Sequence, residues 1–222
     1  MKSVVIFFLA VLNISLITGQ EIDPDLLAIR ARMDSIEKFS ANLKLEVDIN
    51  FINMPIKHAQ MKYIKGEDVK FLSEDFVLIP KRGLDLPLNE IFKYPFITLD
   101  RGTEMREGKT YKVINVIPDD KRADFSIATF LLDTVHNRIK ESQITTKKDG
   151  SYSLNMAYDN SQQILPSLIE VSFEMDKVKI PLRYMGKDAD VDRKKLRSDE
   201  PKTGKIFLYI SDYEISYKTK LN

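Results

Sequence analysis

The sequence predicts a mainly β fold with some helix (α+β), built on one antiparallel sheet. One segment, residues 39–52, alternates apolar and polar side chains almost without exception. Residues 99–175 repeat shorter segments of this kind, separated by tight-turn signals such as Asp149-Gly150. Near the start, residues 24–36 instead carry apolar side chains at helical spacing. We therefore expect one sheet with helical additions.

The helix has a clear start signal. Asp23 can accept hydrogen bonds from free backbone N–H groups, and Pro24 suits the first helical position because it has no N–H to leave unpaired. The apolar residues that follow are Leu26, Ile29, Met33 and Ile36. The opposite face carries both signs of charge, so we expect the helix to pack on the core rather than on a membrane surface.

The first strand is predicted from Phe39 to Ile52 and is unusually long. At about 3.3 Å per residue it would extend roughly 45 Å, whereas strands of about five or six residues are common. One of its faces is apolar and consists of Phe39, Ala41, Leu43, Leu45, Val47, Ile49 and Phe51. So long an apolar face must cover a large interior.

Further strands are predicted along the rest of the chain from alternation and turn signals. They cover residues 56–64, 69–72, 76–79, 99–105, 109–117, 124–133, 138–147, 151–158, 168–175 and 206–218. In the last strand the alternation places five large side chains on one face: Phe207, Tyr209, Tyr213, Ile215 and Tyr217.

Two segments depart from this pattern. Residues 80–96 contain three prolines and a glycine among apolar side chains, namely Leu84, Leu86, Leu88, Ile91 and Phe92. Such a segment is expected to lie over apolar surface, either as a plug on an ordinary core or as a lid over a cavity. Residues 186–204 are densely charged with hardly an apolar anchor, and we expect them to form a mobile loop.

The composition fits an exported protein of one domain. Residues 1–19 combine Lys2, an apolar run and small Gly19, which is typical of a secretory signal peptide, and residues 20–222 would form the domain. The chain has no cysteine, which excludes disulfides and a lipid-modified cysteine at the mature N-terminus. We expect a soluble, unanchored protein in a bacterial periplasm. The 34 basic and 33 acidic residues give no reason to expect nucleic acid as a partner.

The sequence contains no catalytic motif. Its two histidines, His58 and His136, stand apart among polar neighbours, and no zinc-protease, nucleophile-elbow or phosphate-loop pattern occurs. Asp188, Asp190 and Asp192 imitate the start of a calcium loop, but Arg193 replaces the required glycine. We therefore expect no catalytic residues, no metal and no cofactor, although a spatial pair of carboxylates would keep a hydrolase open.

The order of the elements resembles the outer-membrane lipoprotein carrier (LolA/LolB-like) superfamily of bacterial envelopes. Three segments carry the resemblance: DPDLLAIRARMDSIEKFSANLKLEV, FVLIPK and the stretch from YKVINVIPDD to LPSLIEVSF. The last stretch has a strand, a proline, a strand ending in aspartate, a strand ending in a glycine hairpin, and a later proline before the next strand. The likeness is one of order and spacing and extends over nearly the whole mature chain.

The resemblance implies a strongly curved antiparallel sheet, an incomplete barrel whose concave apolar face is covered by helices or loops and holds acyl chains. The expected function is that of a non-catalytic carrier or binding protein for lipid or the acyl part of lipoproteins, acting as a monomer. Its partners would be an inner-membrane release complex and an outer-membrane acceptor. The expected lipid-binding residues are Leu43, Leu45, Val47, Ile49, Phe51, Leu84, Leu86, Leu88, Phe92, Ile169, Val171 and Phe173.

A second hypothesis is that the same half-barrel serves as a protein-interaction or sensor module of the cell envelope. Such a module would bind another protein through a sheet edge or through the aromatic face of the last strand. The two hypotheses differ in what the concave face does, because a carrier must open it to a ligand and a module can keep it packed.

Overall fold

The N-terminal helix begins where the sequence predicts. The computed structural model describes residues 22–67, 69–73, 91–148, 150–175 and 189–218. Helix α1 (Pro24–Asp34) is capped by the Asp23 side chain, which accepts hydrogen bonds from the N–H groups of Asp25 and Leu26. The helix ends earlier than predicted, because Ile36 already belongs to the first strand.

Ten of the described strands form one antiparallel sheet. They are β1 (Ile36–Asp48), β3 (Lys57–Ile64), β4 (Lys70–Leu72), β5 (Phe96–Arg106), β6 (Lys109–Pro118), β7 (Phe125–Asp133), β8 (Arg138–Thr146), β9 (Ser151–Ala157), β10 (Leu168–Met175) and β12 (Lys202–Tyr217). Their order is β4-β3-β1-β12-β10-β9-β8-β7-β6-β5. From β5 to β10 each strand pairs with its neighbour in sequence, and β12 then returns between β10 and β1.

Two contacts of α1 show that this sheet is strongly curved. The N–H of Asp23 donates to Thr98 Oγ1 on β5, and the amino group of Lys65, just after β3, donates to the carbonyl of Asp34. Strands β5 and β3 are tenth and second in the order, about 38 Å apart on a flat sheet with strands about 4.8 Å apart. Because α1 is only about 17 Å long, the sheet must curl around it. Among the described strands, the terminal strands β4 and β5 do not pair, so the barrel is open.

The first strand is shorter than predicted. Strand β1 ends at Asp48, and the N–H of Ile52 then donates to the carbonyl of Ile49 at 2.9 Å, which closes a tight turn around Phe51. The chain continues into a short strand, β2 (Ile52–Asn53), outside the large sheet. The predicted strand is therefore wrong beyond Asp48, because alternation also fits a turn that buries its apolar residues elsewhere.

The last strand contains a β-bulge that changes which side chains share a face. Asp212 has a φ of +54°, and the register with β1 shifts at this point. Tyr213 and Ile215 consequently pack on the same core as Leu208, while Phe207 and Tyr209 stack on the other face with ring centroids 6.4 Å apart. The prediction of one continuous aromatic face is wrong for this reason.

The charged segment near the C-terminus contains regular structure. Strand β11 (Asp190–Val191) pairs with β2, and helix α2 (Arg193–Leu196) follows, capped by the Asp192 side chain. Strand β12 begins at Lys202. The prediction of a loop is therefore wrong for residues 190–191, 193–196 and 202–204, and Ala189, Val191 and Leu196 provide apolar anchors there. Residues 186–188 and the predicted strand 76–79 lie outside the described residues.

Candidate ligand-binding face

One face of the large sheet is apolar and lies under α1. The registers of six neighbouring strand pairs align one side chain from each of seven strands across this inner face. We call this line the central row: Ile114, Phe130, Ser142, Leu154, Val171, Ile206 and Val47. The first four members are completely buried, and Val171 is 6% exposed. The central row is therefore a continuous apolar line across the concave face, with one hydroxyl group in it.

The predicted residues of the first strand and of β10 lie on this inner face. Leu43, Leu45, Ile169 and Val171 are all buried in the main core, and Val47 packs against it. The two strands are separated only by β12, so that Leu45 and Ile169 both pair with Leu208. These residues form one wall of the curved sheet.

Three other predicted residues, Ile49, Phe51 and Phe173, belong to a second apolar cluster at one end of the sheet. Ile49 and Phe51 are buried in it with Ile52, and Phe173 packs against them together with residues of β11 and α2. We call this the end cluster. Gly204 lies inside it, because a Cβ at that position would be 2.6 Å from Ile49 Cγ1 and 2.9 Å from Phe173 Cζ. The end cluster touches the central row through Val47 and Ile206.

The proline-rich segment is described only at its end. Ile91 is 1% exposed, and Phe92 makes an edge-to-face contact with Phe96 at 5.1 Å. The Arg30 guanidinium of α1 lies 5.1 Å from the centre of the Phe92 ring. Phe92 is thus beside the helix, as a covering residue should be. The other predicted residues of this segment lie outside the described residues: Leu84, Leu86 and Leu88.

Polar contacts hold the N-terminal end of α1 in place. Lys112, on the inner face of β6, lies 2.7 Å from carboxylate oxygens of both Asp23 and Asp25. Burial lowers the pKa of Lys112, but hydrogen bonds to the two carboxylates outweigh it and raise the pKa above its ordinary value. The lysine therefore stays charged and ties the start of the helix to the sheet.

Arg32 joins the C-terminal half of α1 to two loops. Its guanidinium donates to the carbonyl of His136, between β7 and β8, and to the carbonyl of Gln162, between β9 and β10, the latter at 2.9 Å. With the Lys112 contacts, these bonds attach the helix by polar groups near both ends. Only Leu26 and Ile29 of α1 are buried in the apolar face itself.

His136 belongs to a polar cluster that sequence reasoning missed. His136 Nδ1 lies 2.8 Å from an Asp133 carboxylate oxygen, and Arg138 Nε donates to the same oxygen at 3.0 Å. Arg138 also lies over the Tyr158 ring at 4.3 Å. Burial raises the pKa of Asp133, but the hydrogen bonds from His136 and Arg138 together lower it by more, so that the pKa lies below its ordinary value. The spacing of Asp133, His136 and Arg138 around one turn was the available signal.

Asp133→Asn should destabilise the protein at neutral pH by about 1–2 kcal/mol, because two hydrogen bonds to an ionised group are weakened. Since the pKa of Asp133 is depressed in the folded state, this stabilisation exists above the ordinary aspartate pKa, 3.8. It is lost as the pH falls through the lower folded value. Urea unfolding of both proteins from pH 7 to pH 2 should show the difference shrinking below about pH 4. A difference that stays constant with pH would contradict this role for the carboxylate.

His58 lies on the outer face of the sheet. It lines an open cleft of about 850 Å³ together with Lys44, Gln60, Leu72 and Tyr209. The Lys44 amino group is 4.0 Å from the centre of the Tyr209 ring and so covers one of its faces. Of the described residues that line this cleft, only Asp159 carries a carboxylate, so they provide no carboxylate pair for hydrolysis.

These features define a class of fold: an open, strongly curved antiparallel half-barrel with a helix across its apolar concave face. The predicted fold class is thus confirmed by the strand order and by the position of α1. Within the part of the chain that the structure describes, no helix combines the length and apolar character needed to cross a membrane.

Comparison with solved structures returns similar chains, each at low sequence identity. The chain is similar to a LolA superfamily protein from Nitrosomonas europaea (10% identity, TM-score 0.48, 87% of this chain and 94% of that one). It is also similar to a putative outer membrane lipoprotein-sorting protein domain from Vibrio parahaemolyticus (14%, 0.46, 89% and 93%). A third structure is a DUF1329 family protein from Desulfovibrio piger (10%, 0.45, 89% and 93%).

No model of a protein family matches the sequence, and no curated protein matches it.

Proposed function

We propose that this chain is a non-catalytic periplasmic carrier or binding protein for a lipid or for the acyl part of a lipoprotein. The ligand would lie on the concave face, beneath α1. The proposal rests on one combined observation. The central row is continuously apolar, and the helix that covers it, α1, is held to it by few apolar contacts. Both ends of that cover are fixed by polar groups, which can exchange their partners for water when the helix moves.

The free energies favour such an exchange. Moving α1 away exposes Leu26 and Ile29, at a cost of about 1.5–3 kcal/mol for each side chain. An acyl chain regains about 0.8 kcal/mol for each CH₂ group that it buries. About four to eight methylene groups therefore offset the exposure of Leu26 and Ile29, and a longer chain also offsets that of the partly buried Met33. A ligand of this class can open the site by its own binding.

The proposal also implies two encounters at membranes. A carrier must receive its cargo from an inner-membrane release complex and deliver it to an outer-membrane acceptor. The export signal predicted at residues 1–19 supports this location. A monomer would be sufficient, because the whole apolar face belongs to one chain.

Val47→Arg should abolish lipid uptake. Val47 lies in the central row and also contacts the end cluster, so a guanidinium there places a charge on the proposed acyl path. The chain 20–222, purified without detergent, is incubated with phospholipid vesicles, separated from them and analysed by native mass spectrometry. The parent should carry a lipid adduct that organic solvent extracts, and the variant should have the apo mass.

Glu46→Arg is the matched control, since it introduces the same side chain at the neighbouring position on the outer face. This variant should bind lipid as the parent does. Circular dichroism of Val47→Arg should retain most of the β signal. Global unfolding of Val47→Arg, or an adduct that persists in it, would indicate that the row is an ordinary packed core.

A protein-binding module is the second candidate, and the edge strand β5 favours it. Leu99 is 48% exposed and Met105 is 73% exposed on this strand, which pairs only with β6 among the described strands. An extended segment of another protein could add to this edge. Two results together would favour this function. The parent chain would carry no lipid after incubation with vesicles, and it would bind an envelope protein that the Leu99→Arg variant does not bind.

A further inference from the structure

The central row contains one polar side chain, Ser142, in the middle of β8. The pairing of β8 with its two neighbouring strands places Ser142 directly between Phe130 of β7 and Leu154 of β9. All three side chains are completely buried. Ser142 Oγ is also the one buried side-chain nitrogen or oxygen atom that lacks a hydrogen-bond partner within the described part of the chain.

An unpaired hydroxyl in this position is unfavourable in the protein without ligand. A buried hydroxyl loses its hydrogen bonds to water, and that loss is compensated only when it finds a new partner. Alanine has nearly the same size and would avoid the loss. The neighbours in the row offer no acceptor, because Phe130 and Leu154 have purely hydrocarbon side chains. The unpaired hydroxyl therefore indicates that a bound ligand supplies the hydrogen-bond acceptor.

We infer that Ser142 donates a hydrogen bond to the carbonyl oxygen of an acyl ester bound on the concave face. This inference rests on the proposed function and specifies the chemistry of its ligand. A hydroxyl can donate one hydrogen bond, and the ester carbonyl is the acceptor that an acylated lipid or lipoprotein brings next to its hydrocarbon chain. The hydrocarbon part then lies on the apolar members of the row, on either side of Ser142.

The assignment makes Ser142 a specificity residue. It should distinguish acyl esters from hydrocarbons of the same length, since only the ester supplies an acceptor. It should contribute nothing to the folded state in the absence of ligand. The first property distinguishes Ser142 from a hydroxyl that merely fills space in the core.

The test compares Ser142→Ala with Ser153→Ala, the same change on the adjacent strand and on the outer face. Methyl palmitate and heptadecane are delivered from cyclodextrin to the chain 20–222, and bound ligand is counted by native mass spectrometry. Ser142→Ala should weaken binding of the ester about tenfold, as expected for one buried hydrogen bond, and leave binding of heptadecane unchanged. Ser153→Ala should change neither, and Ser142→Ala should unfold at the same or a slightly higher temperature.

A spectroscopic measurement reports on the bond itself. With ¹³C at the ester carbonyl, the infrared stretch of the bound ester should lie at lower frequency in the parent and move to higher frequency in Ser142→Ala. Equal binding and equal frequency in both proteins would overturn the role of Ser142 while leaving the carrier function intact. If the parent binds neither ligand, the carrier function fails and the role of Ser142 fails with it.

Discussion

Lys112→Met should destabilise the protein by about 2 kcal/mol and loosen α1. Removing one partner of a fully buried ion pair costs about 3–5 kcal/mol, and Lys112 retains 18% exposure, so a smaller loss is expected. The variant leaves the carboxylate of Asp23, which is 8% exposed, without its cation. Urea unfolding measures the loss of stability. Relative to the parent, the variant should exchange the amide hydrogens of α1 faster, with a smaller change in those of β7 and β8.

The Lys205–Glu170 pair provides the control for burial. Its nitrogen–oxygen distance is also 2.7 Å, but the Lys205 side chain is 50% exposed. Lys205→Met should therefore change the unfolding midpoint little, because water screens and replaces such a pair. Equal effects of the two variants would show that Lys112 does not hold the helix to the sheet.

The carrier proposal links this stability change to ligand exchange. If α1 is the cover, weakening its N-terminal attachment favours the open form and should speed both uptake and release of lipid. The equilibrium affinity should rise as well, since less free energy is spent on opening. Lys112→Met thus separates a helix that covers a site from one that only completes a core.

Much of the fold could be predicted because alternation is a local property. The cap at Asp23, the helix after it and the inner faces of β1 and β10 follow from residue spacing alone. The errors occur where a single residue changes the geometry. The bulge at Asp212 moves Tyr213 to the other face, and no local pattern distinguishes it from a regular strand.

The candidate site was predicted less well, because it depends on contacts between distant segments. Leu45 and Ile169 were predicted as lipid-binding residues and lie on the concave face, but their separation by β12 follows only from the return of the last strand. Ser142 is inconspicuous in the sequence, since a serine in a strand usually faces water. The Asp133 cluster was missed because its members lie around a turn, where alternation gives no information.

Gly204→Ala should destabilise the protein by about 2 kcal/mol, although backbone entropy alone predicts the opposite sign. Alanine in a strand is normally more stable than glycine by about 0.5–1 kcal/mol. Here the new Cβ would lie 2.6 Å from Ile49 Cγ1, and overpacking of this kind costs about 1–3 kcal/mol, so the steric effect prevails. Thr203→Ala, on the exposed neighbour, should change the free energy of unfolding by less than about 0.5 kcal/mol.

The cause of this loss can be tested by removing the obstructing side chain. In an Ile49→Ala background, Gly204→Ala should cost at most half as much, because Cγ1 is gone while Phe173 Cζ remains 2.9 Å away. The same cost in both backgrounds would show that Ile49 is not the side chain that obstructs the new Cβ. The result bears on function as well, because the end cluster contacts the central row at Val47 and Ile206. A looser end cluster should shorten the residence time of a bound acyl chain without changing its hydrogen bond to Ser142.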